Sequence, residues 1–238
     1  MTLVSHRHKF IFLKTFKTAS SSVEGLLEKY CTPDPLDETA LRRAGHFSDA
    51  GIIAARGGTQ FRDDTGWRGH MRASEVREKL GQDTWNRYVK IHTTRNLYAR
   101  QVSNFGARNP EVMSRDVSRK MRIEAFRAWL PVRHLETMDC VQVYMLDGAP
   151  VSDHVIRFEH LERDLRALAD DLKLPDFNLS DLPHWRNRPK RNARLGDPRD
   201  YYDANTLAFL NDRYAWEIDR FGWRLEDATL VPHMEAVG

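Results

Sequence analysis

Only two cysteines, Cys31 and Cys140, occur in 238 residues, and they lie far apart in the chain. That count and spacing exclude a disulfide framework and give no metal-ligand pattern, as suits a reducing compartment. Long apolar runs are missing as well. No stretch reaches the ~18 residues that a membrane-spanning helix needs, and residues 1–8 lack the apolar centre of a secretion signal. Nor is charge of one sign in excess: 37 Lys and Arg stand against 34 Asp and Glu, a net charge of +3. So small an excess argues against a nucleic-acid partner and confines functional charge to local clusters. Repeats and low-complexity tracts are absent. The expectation is a cytoplasmic chain forming one domain over residues 1–238, with 41% hydrophobic residues to fill its core.

What is present begins with residues 9–22, KFIFLKTFKTASSS, in which an apolar run breaks into Lys-Thr and three serines. The pattern predicts a strand, a tight turn and a helix. Val23, Leu26, Leu27 and Tyr30 follow at helical spacing and give that helix one apolar stripe. The first amides of a helix lack intrahelical acceptors and carry the positive end of its dipole, so an anion is favoured at the turn. Lys17 adds a full charge there.

From Cys31 to Trp67 the chain is rich in Pro, Gly, Asp and Arg without periodicity, and it reads as a long loop that helps form a binding site. Short helices are expected over 74–80, with Ser74 as cap, and over 83–87. Tyr88 to Thr94 reads as a strand and runs into a helix from Arg95 to Phe105. A helix over 118–130, a strand over Val141–Leu146, a strand over His154–Phe158 and a helix over 161–172 continue the alternation. Such alternation predicts a mainly parallel central sheet flanked by helices, with ligands beyond the carboxyl ends of the strands. Residues 183–194 hold five basic residues among positions 186–194 and read as a loop. A long amphipathic helix over 207–221, closed by Gly222, follows.

Residues 12–21, FLKTFKTASS, resemble the 5′-phosphosulfate loop of sulfotransferases that use 3′-phosphoadenylyl sulfate (PAPS), above all the carbohydrate and galactolipid branch with its Lys-Thr-x-Lys-Thr-Ala-Ser pattern. Arg95-Asn96-Leu97-Tyr98 with Ser103 eight residues after the arginine is similar to that family's 3′-phosphate motif. Residues 156–161, 182–187 and 201–222 are similar to later elements of bacterial members. Phe16 stands where proline or histidine is more usual, and Leu97 where proline is common. The resemblance implies a P-loop-like three-layer α/β fold and transfer of a sulfuryl group from PAPS to an alcohol on a carbohydrate or glycolipid. The product would be 3′-phosphoadenosine 5′-phosphate (PAP), and no metal would be needed.

The chemistry of the residues agrees with that expectation. Charge growing on a leaving phosphate can be met by a lysine and helix-terminal amides, roles that fall to Lys17 and to Thr18, Ala19, Ser20, Ser21 and Ser22. Arg95 and Ser103 form the candidate clamp for the 3′-phosphate. Arg188, Lys190 and Arg191 are candidates to close over the nucleotide. Gly69-His70 resembles the element that supplies the base in related enzymes, and imidazole has a suitable intrinsic pKa. His46, His184 and Glu159 are weaker candidates, and His92 reads as a core side chain. Two alternatives stay open. One is a P-loop kinase or other nucleotide phosphotransferase, with Lys17-Thr18 ending its phosphate turn and Asp147 holding magnesium. The other is a nucleotide-binding module without catalysis. The acceptor, any peripheral membrane contact and the oligomeric state are not set by the sequence.

Overall fold

The structure is a computed structural model, and it describes residues 2–33, 42–57, 64–136, 140–183 and 189–231, with backbone alone for 133–136. The chain divides into two compact units. One comprises Met1–Thr94, Cys140–Arg186 and Met234–Gly238, and the other Arg95–Asp139 and Asn187–His233.

The first unit holds the sheet. In chain order its elements are β1 (Leu3–Ser5), β2 (Phe10–Leu13), α1 (Ser20–Leu27), β3 (His46–Ser48), β4 (Gly51–Ile53), α2 (Ala73–Leu80), α3 (Gln82–Arg87) and β5 (Val89–Thr94). The second unit then contributes α4 (Leu97–Arg108) and α5 (Arg119–Glu136). The chain returns to the sheet unit for α6 (Val141–Tyr144), β6 (Met145–Leu146), β7 (Ala149–Pro150), β8 (His154–Arg157) and α7 (Leu161–Asp171). It ends in the helical unit with α8 (Pro189–Leu195), α9 (Ala204–Arg213) and α10 (Ala215–Phe221). No helix among the described residues is long and apolar enough to cross a membrane.

Six strands form one sheet in the order β3-β4-β1-β2-β5-β8. Every residue of β2 is fully buried, which accounts for its unbroken Phe-Ile-Phe-Leu run: a strand covered on both faces has no polar side. The expectation of a mainly parallel sheet needs correction. Parallel pairing is confined to β2-β5-β8, while β1–β2, β1–β4 and β3–β4 pair antiparallel. Connections as short as residues 6–9 and residues 49–50 allow only an antiparallel return. The β3–β4 hairpin lies inside the stretch expected to be a loop. Its Gly51 packs so closely that a Cβ there would fall 2.1 Å from the Val4 carbonyl oxygen.

Four further expectations are corrected. Val141–Leu146 is a helical turn followed by a strand of a separate two-stranded hairpin, because a short apolar run does not distinguish a strand from a buried turn of helix. Residues 189–195 are helical rather than a loop. α5 continues past Pro131, whose ring removes one intrahelical bond without ending the helix. The long C-terminal helix breaks at Tyr214 (φ −116°, ψ 22°), which ends α9 and begins α10; Gly222 closes α10 in the left-handed conformation, φ 65°. The helical unit centres on aromatic rings. Phe126 meets Phe105, Tyr201 and Tyr202 edge-to-face at 5.2–5.5 Å between centroids.

β2 and β5 are parallel neighbours, with Leu13 opposite His92. Residues 14–19 leave the carboxyl end of β2, and Arg95 is the residue after the last of β5.

Candidate functional site

The turn between β2 and α1 contains two non-glycine residues in the left-handed region, Lys17 at φ 61° and Ala19 at φ 60°. Such conformations cost about 1 kcal/mol or more each and persist only where the surroundings impose them. Here hydroxyls impose them. Thr15, Thr18 and Thr93 close a ring through their Oγ1 atoms, at 2.8 Å between 15 and 18, 2.9 Å between 15 and 93, and 2.7 Å between 18 and 93. Thr15 Oγ1 also donates to the Thr93 carbonyl, and Ser20 Oγ donates to the Thr15 carbonyl at 2.7 Å. The Cys140 thiol receives the Phe16 amide at 3.2 Å and donates to the Phe16 carbonyl at 3.3 Å.

At the start of α1 the amides of Ser22 and Val23 bond to the Ala19 carbonyl, and Ala19, as N-cap, offers them no side-chain acceptor. Ser74, expected to cap α2, lies inside that helix; the Glu75 carboxylate caps it by accepting the Arg72 amide at 2.7 Å.

Lys14, the first residue after β2, turns inward. Its ammonium pairs with Glu24 in the second turn of α1, and both are buried. The other Glu24 oxygen accepts from Arg56 Nη1 at 3.2 Å; the same nitrogen donates to Glu28 at 2.9 Å, and Glu28 also pairs with Arg43 at 2.5 Å. The two carboxyls are driven apart. Burial would raise Glu24, but the Lys14 ammonium and Arg56 guanidinium outweigh it and hold the group at about 2. For Glu28, burial and the neighbouring Glu24 charge prevail over Arg56 and Arg43 and push the carboxyl up to about 7.

His70 lies against this turn. Its half-buried ring stacks on Phe16, 3.8 Å between centroids and 11° between planes. Nδ1 lies 3.0 Å from the Lys14 carbonyl oxygen. A carbonyl only accepts, so that partner assigns the proton to Nδ1 and leaves the Nε2 lone pair as the basic one. Burial, reinforced by the Lys14 ammonium, lowers the His70 pKa well below its ordinary value, and the ring is neutral at pH 7. The chain reaches His70 (φ 58°) through a bridge between Ala55 and Arg68, and Met71 beyond it is buried.

Arg95, Ser103, Lys190 and Arg191 belong to the helical unit. Arg95 is buried and donates to the Thr229 carbonyl at 2.7 Å. Asn96 caps α4 by accepting from the amides of Tyr98 at 3.1 Å and Ala99 at 3.4 Å, and its side-chain nitrogen donates to the Arg224 carbonyl at 2.8 Å. Ser103 is buried in α4. Lys190 is exposed and Arg191 half-buried on α8. α8 is fixed by Arg122, whose Nη1 donates to the Arg194 carbonyl at 2.8 Å, and by Asn192, whose amide donates to the Leu230 carbonyl at 3.4 Å. The Thr229–Leu230 segment thus touches both Arg95 and α8.

Among the candidates, the structure gathers Lys17 to Ser22 at one turn with His70 beside it, and Arg95, Ser103, Lys190 and Arg191 within the helical unit. Arg188 and His184 lie outside the described residues. His92 is a core side chain, stacked on Tyr144 at 4.1 Å with Nδ1 2.7 Å from Ser152 Oγ. His46 bonds Thr32 at 3.1 Å, and Glu159 is buried in a turn after β8. Asp147 sits in the turn of the small β6–β7 hairpin, exposed and paired with Arg77 at 3.4 Å, rather than at the end of a central strand. Sequence reasoning missed Lys14, Glu24 and the Thr93 hydroxyl. Asn96, by contrast, carried a legible signal, an Asn directly before an amphipathic run. Comparisons with known protein families, with characterised proteins and with solved structures find no match to this chain.

Proposed function

We propose that this chain is a sulfotransferase that moves a sulfuryl group from PAPS to a hydroxyl of a carbohydrate or glycolipid, on a P-loop-like α/β scaffold in the cytoplasm. The reading rests on one observation above others: a neutral histidine with its proton on Nδ1 stacks on the residue that precedes Lys17.

The donor set suits a phosphate. Lys17 brings an ammonium, the start of α1 has no side-chain cap, and Ser21 and Ser22 follow. The hydroxyls of Thr18 and Ser20 are spent inside the turn, so these residues, like Ala19, would offer only backbone amides. By the resemblance of their motifs, and not by their placement relative to the turn, Arg95 and Ser103 are the candidates for the 3′-phosphate, and Lys190 and Arg191 the candidates to close over the nucleotide. PAPS bound there supplies the sulfuryl group. His70 Nε2 accepts the proton of the acceptor hydroxyl as that oxygen bonds to sulfur in line with the breaking bond to the 5′-phosphate. Lys17 and the helix-terminal amides meet the charge growing on the leaving oxygen. The choice of carbohydrate or glycolipid rests on the resemblance of residues 12–21.

Calorimetric titration with PAP, AMP and ATP, with and without magnesium, tests the reading. Selective binding of PAP that needs no magnesium is expected, followed by transfer from labelled PAPS to a panel of glycans. Equal affinity for AMP and PAP would remove the Arg95–Ser103 clamp. Preference for ATP with magnesium would replace sulfuryl transfer by phosphoryl transfer.

A further inference from the structure

Among the described residues of the sheet unit, Lys14, Glu24, Glu28 and Arg56 are all buried, and the proposed reaction gives them no part. Lys14 is 5% exposed and Glu24 is fully buried. Lys14 makes two connections at once: its ammonium is bound by Glu24 of α1, and its carbonyl receives Nδ1–H of His70. Glu24 is in turn held from its other oxygen by Arg56. A buried ion pair adds little net stability over an apolar pair of the same volume, but it can enforce a single arrangement of the chain. In the arrangement present here, the Lys14 carbonyl faces His70 Nδ1.

We propose that Lys14 and Glu24 are positioning residues, whose ion pair aims the Lys14 carbonyl at the imidazole and so keeps His70 in the Nδ1–H form with Nε2 as the base. Neutral histidine in water favours the opposite tautomer, with the proton on Nε2, so the preference must be imposed by the fold. Among the described residues the charged groups acting on the ring are the Lys14 ammonium, which disfavours an imidazolium, and the Glu24 carboxylate, which partly offsets it. The consequence for turnover rests on the proposed reaction; the control of the tautomer does not.

Nitrogen-15 NMR of the histidine rings, recorded above pH 7, separates the two. The wild-type protein should show His70 as a single Nδ1–H tautomer. The double variant Lys14→Met/Glu24→Gln removes both charges and leaves Arg56 its bond to Glu28. In it, His70 should pass largely to the Nε2–H form, and turnover should fall by roughly tenfold or more. Lys14→Arg, which keeps the pair, should retain the wild-type tautomer. If the double variant does not fold, Lys14→Met is read in its place, since Glu24 keeps Arg56. A wild-type tautomer in the folded variant overturns the proposal even where transfer is observed. If the wild-type protein transfers no sulfuryl group while the tautomer shifts as expected, the reaction falls and the positioning role stands.

Discussion

Arg100 in α4 faces one carboxylate, Glu217, across a bidentate pair in which both side chains are almost fully buried. Lys14, Arg43 and Arg56 at the sheet instead share two carboxylates, Glu24 and Glu28. The closed pair is a fastener. The guanidinium meets both oxygens of its carboxylate in fork geometry. In the shared network three cations meet two anions, and the carboxyls separate, one held near 2 and the other raised to about 7. The difference teaches what each arrangement is built for: the bidentate pair fixes two helices to each other, while the carboxyls of the sheet network are set to titrate far apart.

The largest effect is expected from breaking the closed pair. Glu217→Ala leaves the buried Arg100 guanidinium without its carboxylate and should cost about 3–5 kcal/mol of unfolding free energy in urea, most of it recovered in Arg100→Met/Glu217→Leu. Failure of the double variant to recover would mean that Arg100 contributes chiefly through its packing over the Tyr214 ring, 5.9 Å away. At the other end of the comparison, Lys17→Ala should lower turnover by about 10²–10³-fold while weakening PAP binding far less, because its main contribution comes with charge on the leaving phosphate. Equal losses in turnover and binding would make Lys17 a ground-state ligand.

The pH response sharpens the contrast. Glu28 has its folded pKa raised, so its contribution is full below about 4.5 and is lost as pH rises towards 7. Glu24 and His70 have folded values lowered. Glu24 contributes fully above about 4.5 and loses that contribution as pH falls towards 2; His70 contributes above about 6.5 and loses it below. Carboxyl NMR should therefore find Glu28 titrating near 7 and Glu24 near 2, with stability changes on the order of 1–3 kcal/mol across each window. A common midpoint for the two would dissolve the network as described. The smallest effect is expected at the half-exposed pair Lys29–Asp181, 2.8 Å apart: Lys29→Met should change stability by about 0.2–1 kcal/mol, less at high salt.

Where apolar period and turn chemistry coincide, the chain could be read directly. β2, the turn at 14–19, α1, β5, α4 and α7 all announced themselves, as did Gly222 at the end of α10. β1 did not, because three residues carry no period, and the β3–β4 hairpin was lost among Gly, Asp and Arg for the same reason. Lys17 and His70 were legible as residue types in a motif. The Lys14–Glu24 pair was not, since a contact ten residues apart across a turn matches no helical or strand spacing. Nor did the sequence show that Thr18 and Ser20 spend their hydroxyls inward, because that depends on Thr93 from a strand 75 positions on from Thr18.

The ring formed by Thr15, Thr18 and Thr93 has a property best expressed in the language of dielectrics. Thr15 commits its hydroxyl hydrogen to the Thr93 carbonyl, so the hydrogens of Thr18 and Thr93 can fill only two of the three contacts between hydroxyl oxygens at a time. Thr18 and Thr93 can exchange donor and acceptor in their own contact, the other hydrogen going to Thr15 Oγ1, without moving a heavy atom. The base of the turn therefore holds one hydroxyl dipole, between Thr18 and Thr93, whose sense can switch while the heavy atoms stay in place.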